Sequence, residues 1–218
     1  MMYVVEVSAM RKAITGFWWS PASEGVVALV VTALFFALGS FLGLVISSVA
    51  SMDGITVMYA YLEQFLSLAR EDGLSHPELF PFVWQVVRWP TLALLFGFSS
   101  LGLMGLPILN GMRGFYLAFS VGAFAQTYGR NGAVAALLLL GIPAFLSIPA
   151  FFLLSAQSFS ASYKLAVRAS GQGKRELPYH RVYMLRCVFA VILIGIGASL
   201  EWYLVPALAG GWANILLQ

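Results

Sequence analysis

The sequence predicts an all-α, polytopic membrane protein with about five transmembrane helices and a helical extracytoplasmic loop between the first and second. Three observations carry that prediction. Of the 218 residues, 61% are hydrophobic and only 10% charged. Soluble domains carry about a quarter charged residues, so this chain lacks the polar surface to cover itself in water. The mean hydropathy is +0.88, and the apolar residues gather in runs. Crossing about 30 Å of hydrocarbon takes about 20 helical residues, and four of the five runs reach that length. The basic residues, finally, fall mostly on one side of those runs, as the positive-inside rule requires.

Residues 1–218 read as one integral membrane domain, opening with a cytoplasmic segment at 1–25. The first run, 26–49, reads "VVALVVTALFFALGSFLGLVISSV" and carries no charge. Its end, "SSVASM", has the small residues of a signal-peptidase site. A run of this length exceeds the 7–15 residues of a signal-peptide core, however, so an uncleaved helix is expected. The loop 50–89 follows. Its "TVMYAYLEQFLSLAREDG" places Met58, Leu62, Phe65 and Leu68 or Ala69 on one stripe, the spacing of an amphipathic helix. "SHPELFPFVWQVVRWP" then reads as a short helix leading into the membrane. The second span, 90–109, starts with Pro90 in its first turn. The third, 114–128, is short: it either crosses with Arg113 and Arg130 snorkelling from its ends or forms a re-entrant half-helix, and crossing is the expectation. The fourth spans 132–156. A basic link at 160–186 leads to the fifth, 187–208. Trp18, Trp19, Trp84, Trp89 and Trp202 lie near these boundaries, where interfacial tryptophans sit.

With five crossings, one side receives Arg11, Lys12, Arg113, Lys164, Arg168, Lys174, Arg175, Arg181 and Arg186, nine of the twelve basic residues. Only Arg70, Arg88 and Arg130 fall on the other. The N-terminus is therefore expected in the cytoplasm and the C-terminus outside. Orientation accounts for the net charge of +3, and no nucleic-acid partner is expected; membrane lipids are.

No enzyme signature is present: no phosphate-binding glycine loop with its lysine, no HExxH, no GxSxG and no paired carboxylates within a helix. Cys187 is the one cysteine, and His76 and His180 lack the spacing of a zinc site. No catalytic residue, cofactor or metal is expected. Gly39 and Gly43 lie one turn apart with Ser47 next, and Gly114, Ala118 and Gly122 repeat the pattern. Small residues at this spacing let helices approach closely, within the bundle or against a second protein or copy. Pro107, Pro143 and Pro149 interrupt apolar runs, as kinks or as the broken helices of a transport site, and Pro206 ends or bends the last.

Glu201, in "ASLEWYLVPAL", is the sharpest feature, because a carboxylate in hydrocarbon is costly. It lies in the outer third of its helix. A structural pair with Arg130 or Arg88, a partner contact, and ion or proton transport are the three readings. A proton relay needs further carboxylates or histidines in the membrane runs, and none is there, so the pair is expected. Tyr61, Leu62 and Phe65 are candidate partner contacts that equally suit packing on the bundle or lying on lipid.

Three blocks occur in order: "LFGFSSLGLMGLPILNGMRGFYLAFSVGAFAQTYGRNGAV", "IPAFF" and "LEWYLVPAL". In these the chain resembles the stage II sporulation protein M family, over nearly its whole length from about Val26. They are similar to the family's Gly-Leu-Pro, basic-Gly and Gly-Phe sequence, its Ile-Pro-Ala-Phe, and its Glu-x-Tyr-x-x-Pro ending. One block departs: Ala144 and Phe145 follow Pro143 where the family has a Pro-Gln-Asn-type polar element. The resemblance implies a scaffold in the bacterial cytoplasmic membrane, with no hydrolytic activity of its own. Such a scaffold anchors a peptidoglycan-remodelling complex with stage II sporulation proteins D and P, a lytic transglycosylase and an amidase, or similar wall hydrolases, during engulfment in endospore formation. The rival is a permease-like subunit of an ABC-type exporter. That rival predicts a wet polar cavity reaching mid-membrane and a cytoplasmic coupling helix, for which "YKLAVRASGQGKRELPYHRVYMLR" is the candidate.

Overall fold

The computed structural model describes residues 22–49, 60, 63–64, 67, 79–171 and 181–216. The loop candidates Tyr61, Leu62 and Phe65 lie outside the described residues. Among the described residues every regular element is helical: α1 (Ala22–Val49), α2 (Leu79–Gly97), α3 (Gly102–Ala136), a π-helical turn (Leu137–Gly141), α4 (Ile142–Ala169) and α5 (Arg181–Leu216). Four stretches are long and apolar enough to cross a membrane: Gly25–Val49, Leu79–Gly97, Gly102–Ala169 and Arg181–Pro206.

The third of these has 68 residues, about 100 Å as a straight helix and more than three times a hydrocarbon core. It is not straight. Gly129 has φ 59° and ψ −138°, a conformation in which a Cβ would clash with the backbone. Three residues on, a Cβ at Gly132 would overlap the carbonyl of Phe124. Those residues would stand about 12 Å apart along one continuous helix. The chain therefore folds back at Gly129.

The π-helical turn ends two residues before Pro143. An α-helix would want the amide of residue 143 to donate to the carbonyl of Leu139, and proline has no such donor. The ladder changes register where that donor is missing. The other expected kinks differ. Pro107 and Pro149 lie inside α3 and α4, and Gly129 is the residue of α3 with non-helical dihedrals. Pro206 does not end α5, which continues to Leu216.

Several boundaries shift from those expected. Residues 79–89, read as a short helix leading into the membrane, are continuous with the apolar helix that follows, so Pro90 lies inside α2 rather than in its first turn. Arg88 reads as a boundary only if its charge must face water. The link expected near Arg113 lies instead at residues 98–101, where Ser99 N–H donates to the Phe96 carbonyl and Gly102 N–H to that of Ser99. This turn is held by Ser162, whose hydroxyl donates to the Ser99 carbonyl at 2.6 Å. A Cβ on Gly102 would overlap the carbonyl of Phe96. Because the turn is built from small and apolar residues, hydropathy does not register it. The third helix thus starts at Gly102, twelve residues before the expected start. The basic link is also shorter: α4 continues to Ala169, and α5 begins at Arg181.

A core of Ala93, Leu106, Leu109, Phe151, Leu154, Cys187 and Ile194 joins α2, α3, α4 and α5. Helix α1 packs outside it along a stripe of small buried residues, Ala28, Thr32, Gly39, Gly43 and Ser47. A Cβ on Gly39 would overlap the carbonyl of Gly111, one on Gly43 that of Phe115, and one on Gly114 that of Phe36. Gly122 lies against Ser47, and the Gln126 amide donates to the Ser47 carbonyl. The two small-residue stripes therefore face each other within one chain. Outward, α1 presents Val26, Leu34, Phe41 and Leu42, all exposed, the surface a lipid-facing helix shows.

Candidate functional site

Each of four helices turns one face toward a common cavity of about 250 Å³. Helix α2 supplies Phe82, Gln85 and Trp89; α3 supplies Arg113, Tyr116, Leu117 and Ser120; α4 supplies Pro143, Ala144 and Ser147; α5 supplies Ile194, Ala198 and Glu201. The spacings of three, four and seven residues are those of a single helical face. Arg88 on α2 and Phe36 on α1 complete the polar and apolar walls.

Depth follows from the 98–101 turn. Arg113 is eleven residues into α3, about 16 Å from that turn and close to the middle of a 30 Å core. Arg88, nine residues before Gly97, sits at about 14 Å. Phe82 lies about 22 Å from the turn, and its ring meets that of Trp202 edge-on at 4.8 Å between centroids, which puts the neighbouring Glu201 at the same level. Ser120 is near 27 Å. The cavity thus runs from mid-membrane toward the end of the bundle remote from the turn.

Two cations and one carboxylate line it. The Glu201 carboxylate and the Arg113 guanidinium attract each other. Arg113 also lies over the ring of Phe151 at 4.5 Å and Arg88 over that of Trp89 at 5.3 Å, contacts that stabilise a guanidinium where water is scarce. Formally the lining carries one net positive charge. Among the described residues no group of three His, Cys, Asp or Glu side chains is placed to hold a metal ion.

Of the two cations expected near Glu201, Arg88 shares its cavity and Arg130 does not: Arg130 is exposed and lies outside the lining. The cation that attracts Glu201 is Arg113, which sequence reasoning assigned to a cytoplasmic link. Gln85, Ser120 and Ser147 were missed with it. A signal existed in "GFSSLG", a small-residue cluster of the kind that makes turns. Taking the turn there leaves Arg113 at mid-helix and in need of a counter-ion.

The stage II sporulation protein M family matches residues 32–206. Neither a curated protein nor a solved structure matches the chain. The family match begins within α1 and ends at Pro206 in α5, so it takes in every side chain that lines the charged cavity. Covering 175 of the 218 residues and reaching into each of the four membrane-length helices among the described residues, it shows that this membrane protein belongs to the stage II sporulation protein M family.

Proposed function

We propose that the protein is a non-catalytic membrane scaffold. In this reading it anchors and localises peptidoglycan-remodelling enzymes, a lytic transglycosylase and an amidase of the stage II sporulation protein D and P kind, during engulfment in endospore formation. The observation that carries the reading is the family match over residues 32–206, which takes in parts of all five helices. Docking then falls to Tyr61, Leu62 and Phe65, because the small-residue stripes of α1 and α3 are used up against each other.

The scaffold crosses the membrane five times, since the reversal at Gly129 divides 102–128 from 130–169. The turn at 98–101 and the segment after Ala169 face the cytoplasm, as does the N-terminus; Gly129 and the C-terminus lie outside. Charge supports this orientation. With Arg88 and Arg113 inside the membrane, eight basic residues remain on the cytoplasmic side against Arg70 and Arg130. In a Cys187→Ala background, Arg130→Cys should react with a membrane-impermeant maleimide on intact cells, and Ser100→Cys only after permeabilisation. Reaction of both on intact cells would remove the five-crossing arrangement.

One observation favours a second reading. A charged cavity reaching mid-membrane is what a permease-like subunit of an ABC-type exporter requires. Purification of the tagged protein from gently solubilised membranes of growing and sporulating cells separates the two. Wall hydrolases recovered during sporulation are expected for the scaffold; a nucleotide-binding ATPase recovered from growing cells, without them, would sink it in favour of transport.

A further inference from the structure

A second cavity adjoins the charged one. A groove of about 450 Å³ between α2 and α3 shares Arg88, Trp89 and Tyr116 with it. Beyond those three its walls are apolar, with Leu92, Phe96 and Ile108 among them. From Arg88 to Phe96 it follows eight residues of α2, about 12 Å toward the 98–101 turn. Ile108 is 58% exposed, so the groove opens on the face that meets hydrocarbon. Gly105 keeps it deep, since a Cβ there would come within 2.7 Å of the Phe96 ring.

The two cavities make complementary demands. The first has more positive than negative charge at a depth where an unneutralised arginine is costly. Arg113 is partly balanced by Glu201, whereas Arg88 is exposed and makes its close contact with the Trp89 ring. A soluble anion would satisfy the first cavity but gain nothing from the apolar groove; a neutral alkyl chain would fill the groove and leave the charge unbalanced. An amphiphile with an anionic head and an apolar chain satisfies both.

We propose that the pair forms a binding site for an anionic lipid, with its phosphate between Arg88 and Arg113 and one chain along the α2–α3 groove. Guanidinium groups bind phosphate oxygens through paired, charge-assisted hydrogen bonds, and the chain fixes which anions can use them. The site stands independently of the scaffold reading, because it needs no partner protein.

The test is native mass spectrometry of the full chain, offered phosphatidylglycerol and phosphatidylcholine with the same acyl chains. About tenfold preferential retention of phosphatidylglycerol is expected, the size of one charge-assisted contact. Arg88→Gln should abolish the preference. Ile108→Trp, at an exposed position that fills the groove, should lower retention with both arginines intact, and so covers the case in which Arg88→Gln fails to fold. Arg130→Gln should change nothing. Equal retention of the two lipids would overturn the proposal. So would displacement of phosphatidylglycerol by inorganic phosphate with the groove variant unaffected, which marks a soluble-anion site.

Discussion

Glu201→Gln is expected to destabilise the protein by about 1–2 kcal/mol, less than breaking a fully buried ion pair costs, because Glu201 and Arg113 are each half-buried and attract each other from the walls of an open cavity. Glutamine keeps the size and hydrogen-bonding capacity of glutamate and deletes only the charge. Arg113 then stands near mid-membrane with no counter-ion, and the cavity goes from one net positive charge to two. Arg113→Gln should act in the same direction by leaving the carboxylate alone. The decisive variant combines the two. If the charges attract across the cavity, the double variant loses less than the sum of the singles, by about 1 kcal/mol or more, read from apparent melting temperatures in one detergent. Arg130→Gln, at an exposed position outside the cavity, should stay within about 0.5 kcal/mol of the parent. Additive losses at 113 and 201, or a loss at 130 matching that at 113, would sink the assignment of Arg113 as the partner.

That pair also shows what the sequence could reveal. Glu201 is legible alone, because a carboxylate in a 22-residue apolar run is anomalous and its depth follows from helical rise. Its partner is not. Arg113 closes one apolar stretch and opens the next, and a charge in that position reads as a helix end. Locating it inside requires knowing that the chain turns at 98–101, where Ser162 and the small residues Ser99 and Gly102 make a turn that hydropathy scores as membrane. The same shift explains Arg88 and Pro90, which read as boundary residues in the sequence and lie inside α2. Stripes of small residues were easier, since spacing alone puts Gly39 and Gly43 on one face. Whether that face meets its own chain or another depends on tertiary pairing, which a periodic pattern does not encode.

Gly39→Leu is expected to cost more than losing Glu201, about 3 kcal/mol or more, and to lower the yield of folded protein. Overpacking usually costs 1–3 kcal/mol when neighbouring side chains can move aside. At Gly39 the obstacle is the Gly111 carbonyl, part of the α3 backbone, so α1 and α3 must separate as bodies. Separation also breaks the Gln126–Ser47 hydrogen bond and the edge-on contact of Phe36 with Phe152 at 5.0 Å. Close backbone approach is what drives helices together in lipid, where burial of apolar surface gives little. Gly195→Leu supplies the contrast: nothing lies within 4 Å of a Cβ there, so a change of about 0.5 kcal/mol or less is expected. Equal losses at 39 and 195 would mean that α5 meets another chain at Gly195, and a neutral Gly39→Leu would mean that α1 is not held against α3. Because Phe36 of α1 also walls the charged cavity, displacing α1 should loosen the Arg113–Glu201 coupling. A double-mutant cycle repeated in the Gly39→Leu background should then show a smaller interaction.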